Sequence, residues 1–247
     1  MKFDITIPVL NEEETLARQI TTLVTYLEGL PSRPDYTVSI ADNGSTDRTR
    51  DIAAELMTRF PTVRLVTVPE RGVGRGLKAT WDASDADVVG YIDLDFSTPI
   101  EHLPQMFAAF ADPSVRVLSA SRYLPGSQVV GRRFVRTVTS IGLNMLLKLL
   151  LHVRFTDAMA GFKFVRRDLY DELRRLGLDN NGWFFNAEIL IRSEWLGIKV
   201  VELPVRWVDD PNSKVQLAAT IRNYLDRIFQ LRREKAIAMS RSRSNLR

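Results

Sequence analysis

Acidic, amide and hydroxyl side chains form short clusters in the first part of this sequence. One of them, Asp93-Leu94-Asp95-Phe96-Ser97, follows the apolar run Val88–Ile92. In an extended segment residues i and i+2 point to the same side, so Asp93 and Asp95 place two carboxylates on one face. Such a pair is costly unless a cation neutralises it, and oxygen ligands suit Mg²⁺ or Mn²⁺. We therefore predict a divalent metal site at Asp93 and Asp95, with Ser97 as a further ligand. A solvated turn is the alternative interpretation.

Three more clusters each follow a segment with strand character: Pro8-Val9-Leu10-Asn11-Glu12, Asp42-Asn43-Gly44-Ser45-Thr46-Asp47 and Arg71-Gly72-Val73-Gly74-Arg75-Gly76. The Asp42-Asn43 pair can hydrogen-bond a nucleobase or ribose, or can form an Asx turn before the next helix. The glycines are spaced G-x-G-x-G, and Gly76-Leu77-Lys78 lacks the ending of a Walker loop. A dehydrogenase is disfavoured, whereas a turn beside a sugar or phosphate and a plain turn both remain open.

The elements that must position these clusters alternate between strand and helix. Strands are predicted at Phe3–Val9, Tyr36–Ala41, Val63–Val68 and Val88–Ile92, with helices at Glu12–Leu30, Asp47–Phe60 and Gly76–Ala83. This alternation predicts an α/β fold with a mostly parallel, Rossmann-like central sheet flanked by helices. Ligands bind such sheets outside the carboxyl ends of the strands, where all four clusters lie. Their convergence is the main functional signal.

A polar stripe marks the long helix predicted at Arg132–His152. Arg136, Ser140 and Asn144 are spaced i, i+4, i+8 and so share one face, which suits an anion. A phosphate monoester is already ionised near neutral pH and would need no general base as a nucleophile. If the acceptor is a hydroxyl, Glu188 is the best remaining carboxylate base; its alternative role is an i+4 pair with Arg192.

Composition excludes several other classes of protein. The chain has 247 residues, a formal charge of +4, no cysteine and two histidines, which excludes disulfides, zinc-thiolate sites and iron–sulfur clusters. Residues 222–247 hold eight basic and two acidic groups, which favours contact with an anionic surface. A basic amphipathic helix is predicted at Leu217–Lys235, and Ser240–Arg247 is predicted to be disordered. We expect no signal peptide and no membrane span, because the most apolar stretch, Ile141–Val153, covers only 13 residues.

The order P-V-L-N-E, D-N-G-S-T-D, D-L-D-F-S and G-F-K resembles the family 2 inverting glycosyltransferases of GT-A fold. Among these, the sequence is most similar to polyprenyl-phosphate (dolichyl-phosphate-type) mannosyl- and glucosyltransferases, from Ile5 to about Leu231. The resemblance implies transfer of a hexose from a UDP- or GDP-sugar to a polyprenyl phosphate, with inversion and with Mg²⁺ or Mn²⁺. It implies a catalytic domain at 1–215, the basic helix at 216–239 and a tail at 240–247. It also implies a cytoplasmic protein, peripheral at the membrane or held by a membrane-protein partner, with no nucleic acid expected.

The resemblance also assigns residue roles. Those implied to bind the nucleotide are Pro8, Val9, Leu10, Asn11, Glu12, Asp42, Asn43, Gly74, Lys78, Asp93 and Leu94. The implied catalytic residues are Asp95, Arg122, Arg136, Ser140 and Lys214, with Asp93, Asp95 and Ser97 at the metal. Those implied to meet the acceptor are Arg132, Arg133, Asn144, Asp157, Gly161, Phe162, Lys163 and Glu188. Asn43 departs from the family's second aspartate.

Two rival interpretations remain open. The first keeps the fold and the donor but uses a soluble or saccharide hydroxyl acceptor, with Glu188 as base. The second is a non-catalytic module that binds a nucleotide, or a nucleic acid through the basic tail. The first predicts that Glu188 is essential, whereas a lipid-phosphate acceptor predicts that Arg136 and Ser140 are.

Overall fold

Four parallel strands carry the four polar clusters at their carboxyl ends. A computed structural model describes residues 1–209 and 223–235 of the chain. Its first strands are β1 (Lys2–Val9), β2 (Asp35–Asp42), β3 (Val63–Thr67) and β4 (Val88–Ile92). They lie side by side in the order β3-β2-β1-β4, and each adjacent pair is parallel. Since β1 and β4 are neighbours, the Asn11 and Asp93 clusters end at the same edge of the sheet.

The helices between these strands cover the sheet as their apolar spacing predicts. They are α1 (Leu16–Glu28), α2 (Thr49–Arg59) and α3 (Val73–Asp82). The buried face of α1 consists of Leu16, Ile20, Leu23, Val24 and Leu27, which recur at the three- and four-residue spacing of a single helix face. Burying a large aliphatic side chain stabilises the fold by about 1.5–3 kcal/mol, so this face fixes α1 on the sheet.

The second half of the chain completes the sheet with one antiparallel strand. The added strands are β5 (Val117–Ser121), β7 (Phe162–Arg166) and β8 (Val201–Pro204), and the full order is β3-β2-β1-β4-β7-β5-β8. Strand β7 runs antiparallel to β4 and β5. A small second sheet pairs β6 (Gln128–Val130) with β9 (Arg206–Val208) in parallel. The predicted mostly parallel central sheet is confirmed.

The remaining helices help to enclose two hydrophobic cores, one on each face of the sheet. A short 3₁₀ turn (Ile100–His102) leads into α4 (Leu103–Phe110), and α5 (Phe134–Leu151), α6 (Arg167–Arg175) and α7 (Phe185–Trp195) follow. Residues 223–235 form a further helix, α8. Alternate residues of β4 enter different cores: Val88 and Ile92 join one, and Val89 and Tyr91 join the other. Because side chains alternate along a strand, the two cores lie on opposite faces of the sheet.

Helix α5 corrects one expectation about the membrane. Its 18 residues are long and apolar enough to cross a bilayer, by length and composition only, and 22% of them are buried. The stretch Ile141–Val153 was too short a basis for the expectation of no membrane span, because the apolar residues of the predicted helix continue back to Phe134 and include Val135 and Val138.

Helix α8 packs on the protein. Two apolar residues of the predicted basic amphipathic helix, Ile228 and Leu231, are fully buried in the protein core, together with Tyr224. This side of α8 therefore packs on the protein and is not available to lipid. The predicted start of the helix at Leu217 and the tail at 240–247 lie outside the described residues.

Candidate active site

The two aspartates after β4 occupy a tight, strained turn. Ser97 donates from its backbone nitrogen to Asp95 Oδ1 (2.9 Å) and from its hydroxyl to Asp95 Oδ2 (2.8 Å). Phe96 adopts a left-handed conformation, with φ of 51°, which is uncommon for a bulky residue. Backbone strain of this kind persists where the surroundings enforce it, typically at binding sites. The turn leaves Asp95 exposed and Asp93 partly buried.

Asp93 lies in a crowded, weakly solvated position. Burial, and then the neighbouring charge of Asp95, raise the pKa of the Asp93 carboxyl to about 7, although Lys163 and Arg122 oppose the shift. A Cβ atom at position 161 would overlap the Asp93 carboxylate, which explains the glycine of the G-F-K segment. Burial likewise lowers the pKa of the Lys163 ammonium to about 8. The buried Lys163 donates to the carbonyl of Ala160, and its implied role beside the acceptor stays a prediction.

The donor atoms at this turn suit a hard divalent cation. Two adjacent carboxylates, one of them poorly solvated, are stabilised by a positive ion, and oxygen ligands match Mg²⁺ or Mn²⁺. Within residues 1–209 and 223–235, no group of three or more histidine, cysteine or acidic side chains forms a metal cluster. Asp93 and Asp95 therefore supply only part of a coordination sphere, and phosphate oxygens or waters would complete it. The carboxylates of Asp93 and Asp95 are thus suitable ligands for Mg²⁺ or Mn²⁺.

Arg122 is fixed beside this turn by a buried ion pair. Its Nε and Nη2 atoms donate to Asp157 Oδ2 (2.7 Å) and Oδ1 (2.8 Å), with side-chain exposures of 4% and 0%. The guanidinium also lies 4.7 Å from the ring centroid of Trp207. Burial opposes the charge on Arg122, yet chiefly the Asp157 carboxylate raises the guanidinium pKa above its ordinary value. Asp157 therefore holds Arg122 in place, and its implied role beside the acceptor stays a prediction.

A cavity of about 460 Å³ opens between Arg122 and the amino-terminal half of α5. Its lining includes Tyr123, Arg132 and Ile141, so it combines cationic, hydroxyl and apolar surface. Arg132 donates to the Tyr123 hydroxyl (3.3 Å) and to Ser140 Oγ (3.0 Å), and the two hydroxyls are hydrogen-bonded to each other. The Arg132 Nε atom has no hydrogen-bond partner in the described part of the chain.

The predicted polar stripe does lie along the inner face of α5. Ser140 and Asn144 are buried, and Asn144 Oδ1 accepts a hydrogen bond from the backbone of Ala158 (3.0 Å). Arg136 pairs instead with Asp209, through Nη1–Oδ2 and Nη1–Oδ1 distances of 3.1 and 3.3 Å. Arg133, at the amino-terminal end of α5, is exposed. The structure thus brings Arg122, Arg132, Arg136 and Ser140 together.

The first two strand ends form an interlocked pair of loops. Asn11, which has φ of 56°, accepts from the Thr46 backbone at Oδ1 (2.8 Å) and donates from its own backbone to Ser45 Oγ (3.0 Å). Asp42 is fully buried and accepts from Ser45 N (3.0 Å) and Arg50 Nε (2.6 Å), as the turn interpretation predicts. Asn43 donates to the Ala41 carbonyl (3.2 Å). Pro8, Leu10 and Glu12 remain partly exposed at this edge.

Four predicted contacts have side chains that are engaged elsewhere in the protein. Val9, Leu94 and Phe162 are buried in the hydrophobic core. Lys78 binds the carbonyl and carboxylate of Asp179, at 2.8 and 2.6 Å. A side chain at Gly74 would overlap the Asn180 carbonyl, so this glycine permits close packing with the loop before α7. The nucleotide and acceptor roles implied for these five residues stay predictions.

Glu188 takes the alternative role that the sequence offered for it. Its carboxylate is fully buried on α7 and accepts from Arg192 Nε (2.7 Å) and from Arg227 Nη2 (2.7 Å) and Nε (3.0 Å). The predicted i+4 pair with Arg192 is confirmed, and α8 adds the second arginine. Because both oxygens are engaged by cations, Glu188 is not placed as a general base. Lys214, predicted to contact the donor, lies outside the described residues.

Three residues at the site were not singled out from the sequence. Tyr123 joins Arg132 to Ser140, Trp207 stacks on Arg122, and Asp209 pairs with Arg136. Tyr123 follows the predicted Arg122 directly, and Trp207 and Asp209 flank a short strand. In Arg206-Trp207-Val208-Asp209, a tryptophan between two charged residues was the one available signal.

Comparisons with known proteins agree with this architecture. The family model described as Glycosyl transferase family 2 matches residues 4–174. Glycosyltransferase AglD of Haloferax volcanii is 28% identical over 90% of this chain and 35% of its own length. Dolichol-phosphate mannosyltransferase of Pyrococcus furiosus is 28% identical over 94% of this chain and 64% of its own length. The chain thus spans about a third and just under two thirds of these two relatives.

A solved structure shares the fold. Glucosyl-3-phosphoglycerate synthase from Mycobacterium tuberculosis, in complex with Mn²⁺ and UDP-glucose, aligns with a TM-score of 0.68 at 17% identity. The alignment covers 94% of this chain and 78% of that one. The fold implied by the sequence motifs is therefore confirmed. Since the family model matches well over half of the residues, this chain belongs to glycosyl transferase family 2.

Proposed function

We propose that this protein transfers a hexose from a nucleotide-diphosphate sugar to a polyprenyl phosphate, inverting the anomeric carbon. The observation that carries the proposal is the cavity between Arg122 and α5. It joins an arginine-rich interior to the apolar residues Val129 and Ile141. An anion attached to an apolar chain matches both surfaces. One of the two named relatives is a dolichol-phosphate mannosyltransferase, which supports the same acceptor class.

The proposed chemistry needs no general base. An acceptor phosphate monoester is largely a dianion near neutral pH, its second pKa being about 6, and attacks directly. Arg132, Arg136 and Ser140 would hold this phosphate on the inner face of α5. Arg122, fixed by Asp157, would direct positive charge towards the reacting phosphates. Both oxygens of Glu188 accept hydrogen bonds from arginines, which supports an acceptor that needs no base.

On the donor side, the Asn11 loop and the Asp93 turn would hold the nucleotide and its diphosphate. Asp93 and Asp95 would bind Mg²⁺ or Mn²⁺, which supplies charge stabilisation for the departing diphosphate when bound. The related glucosyl-3-phosphoglycerate synthase binds Mn²⁺ and UDP-glucose, which supports this pairing of ion and donor. Gly161 keeps space for the Asp93 carboxylate.

Helix α5 would bring the protein to the membrane. Its outward side chains Phe134, Val135, Val138, Ile141, Met145 and Leu149 are 47–81% exposed. This apolar stripe borders the cavity through Ile141, and Arg133 and Lys148 lie on the same helix. A helix that is apolar on one side and carries cations can bind an anionic bilayer peripherally. We therefore propose that the chain works at the cytoplasmic membrane face.

A direct transfer assay tests the proposal. The protein is incubated with radiolabelled UDP-glucose or GDP-mannose, a polyprenyl phosphate and Mn²⁺, and the lipid phase is then extracted. We expect label in lipid with one donor and its loss in the Arg136→Gln and Ser140→Ala variants. Transfer to a water-soluble acceptor with no label in lipid would refute the acceptor assignment.

A further inference from the structure

One carboxylate lies where the proposed acceptor phosphate must bind. Asp209 is 10% exposed and accepts two hydrogen bonds from Arg136 Nη1, while Arg136 is 26% exposed. The backbone nitrogen of Asp209 donates to the Val130 carbonyl (3.0 Å), just after β9. The backbone therefore holds Asp209 beside Gly131, which lines the cavity, independently of the Asp209 side chain.

The two aspartates near the cavity are held very differently. Arg122 pairs with Asp157 and Arg136 pairs with Asp209, whereas Arg132 donates to the hydroxyls of Tyr123 and Ser140. Asp157 is fully buried, binds Arg122 through two nitrogens and also accepts from the backbone of Met159 (3.0 Å). Asp209 reaches Arg136 through a single nitrogen, and that pair is partly solvated. Of these two carboxylates, Asp209 is the one that a ligand can displace at small cost.

We propose that Asp209 is an internal counter-ion that Arg136 exchanges for the phosphate of the acceptor. This inference rests on the proposed function. A doubly charged phosphate attracts the guanidinium more strongly than a singly charged carboxylate does, so the acceptor displaces Asp209. Until then, Asp209 neutralises Arg136 and keeps its side chain in position.

The exchange reverses after transfer. A phosphate oxygen of the acceptor forms a bond to the anomeric carbon as the bond from that carbon to the nucleotide diphosphate breaks. The acceptor dianion becomes a phosphodiester monoanion, and the leaving nucleotide diphosphate takes the other negative charge. The phosphate of the product carries a single negative charge, as a carboxylate does, and so no longer binds Arg136 more strongly than Asp209 does. Asp209 therefore pairs with Arg136 again, which favours release of the product.

Equilibrium binding without donor separates this exchange from catalysis. Farnesyl phosphate, a monoester, and its methyl diester are titrated calorimetrically at pH 8 into the wild-type protein and into the Asp209→Asn, Asp209→Ser and Arg136→Gln variants. The matched control is Asp85→Asn, which removes one negative charge from an exposed pair with Lys2, at the opposite end of β1. Thermal unfolding checks that each variant is folded.

We expect both ligands to bind about fivefold more tightly to Asp209→Asn and Asp209→Ser, with no change in Asp85→Asn. Under turnover, the Asp209 variants should show a lower KM for the acceptor and stronger inhibition by the diester. A loss of structure weakens binding, so tighter binding cannot arise from misfolding. Unchanged or weaker binding in both Asp209 variants, with a wild-type protein that does bind, overturns the exchange alone. A wild-type protein that binds neither ligand overturns the acceptor assignment as well.

Discussion

The pair formed by Arg122 and Asp157 allows a quantitative test of how this site is held together. Asp157→Asn keeps the size of the side chain but removes its charge. Arg122 then remains almost fully buried, at 4% side-chain exposure, without a counter-charge. Breaking a buried ion pair by changing one partner costs about 3–5 kcal/mol. Asparagine retains one oxygen that can accept a hydrogen bond, so we expect about 3 kcal/mol.

This loss is measured by urea unfolding at pH 7 without ligands. For a chain of this size, about 3 kcal/mol corresponds to a fall of roughly 6–12 °C in Tm. Asp168→Asn is the control, because Asp168 is 66% exposed and pairs with Arg116 at 3.0 Å; it should cost at most about 0.5 kcal/mol. In the double variant Arg122→Met/Asp157→Asn, the loss should be smaller than the sum of the single losses.

The same pair predicts a dependence on pH. Burial alone would raise the pKa of the Asp157 carboxyl, but Arg122 outweighs it, and the pKa is lowered. A lowered native pKa means that the unfolded chain binds the proton first as pH falls. The stabilisation is therefore present above about pH 4 and is lost as pH falls through the lowered native value. Equal losses in Asp157→Asn and Asp168→Asn, or additive losses in the double variant, would refute this reasoning.

Three further predictions concern the metal, the acceptor and the membrane. Asp95→Asn should reduce transfer at least about 100-fold and abolish any thermal shift that UDP produces only with Mn²⁺; a full shift in the variant would contradict the metal role. Glu188→Gln should lower the unfolding free energy by about 3 kcal/mol while transfer per folded molecule stays within a few-fold, whereas a base would lose activity completely. Val138→Asp and Met145→Asp should reduce sedimentation with anionic vesicles. Met57→Asp, at a similarly exposed methionine (41%) on α2, should not; equal effects would argue against α5 as the membrane surface.

The position of the active edge could be predicted from the sequence because it depends on local patterns. Strand and helix periods placed the Asn11, Asp42 and Asp93 clusters at neighbouring strand ends. The i, i+4, i+8 spacing likewise placed Ser140 and Asn144 on one buried face of α5. Both are consequences of backbone geometry, which acts over a few residues.

The partners of the charged side chains could not be predicted in the same way. Glu188 meets Arg227 across 39 positions, and Lys78 meets Asp179 across 101. The pair between Arg136 and Asp209 spans 73. No local pattern encodes such distances in sequence, because they depend on how the sheet and helices pack. Burial then decides which charge must be paired and which remains free for a ligand.

By itself, the sequence determined the parallel sheet, the polar edge and the family to which the motifs belong, because side-chain periodicity and turn chemistry are local. The tertiary structure alone decided that Glu188 joins two helices, that Asp157 fixes Arg122, and that α5 presents its apolar side outward. Each of these depends on desolvation and on long-range contact. Those forces act only once the chain has folded.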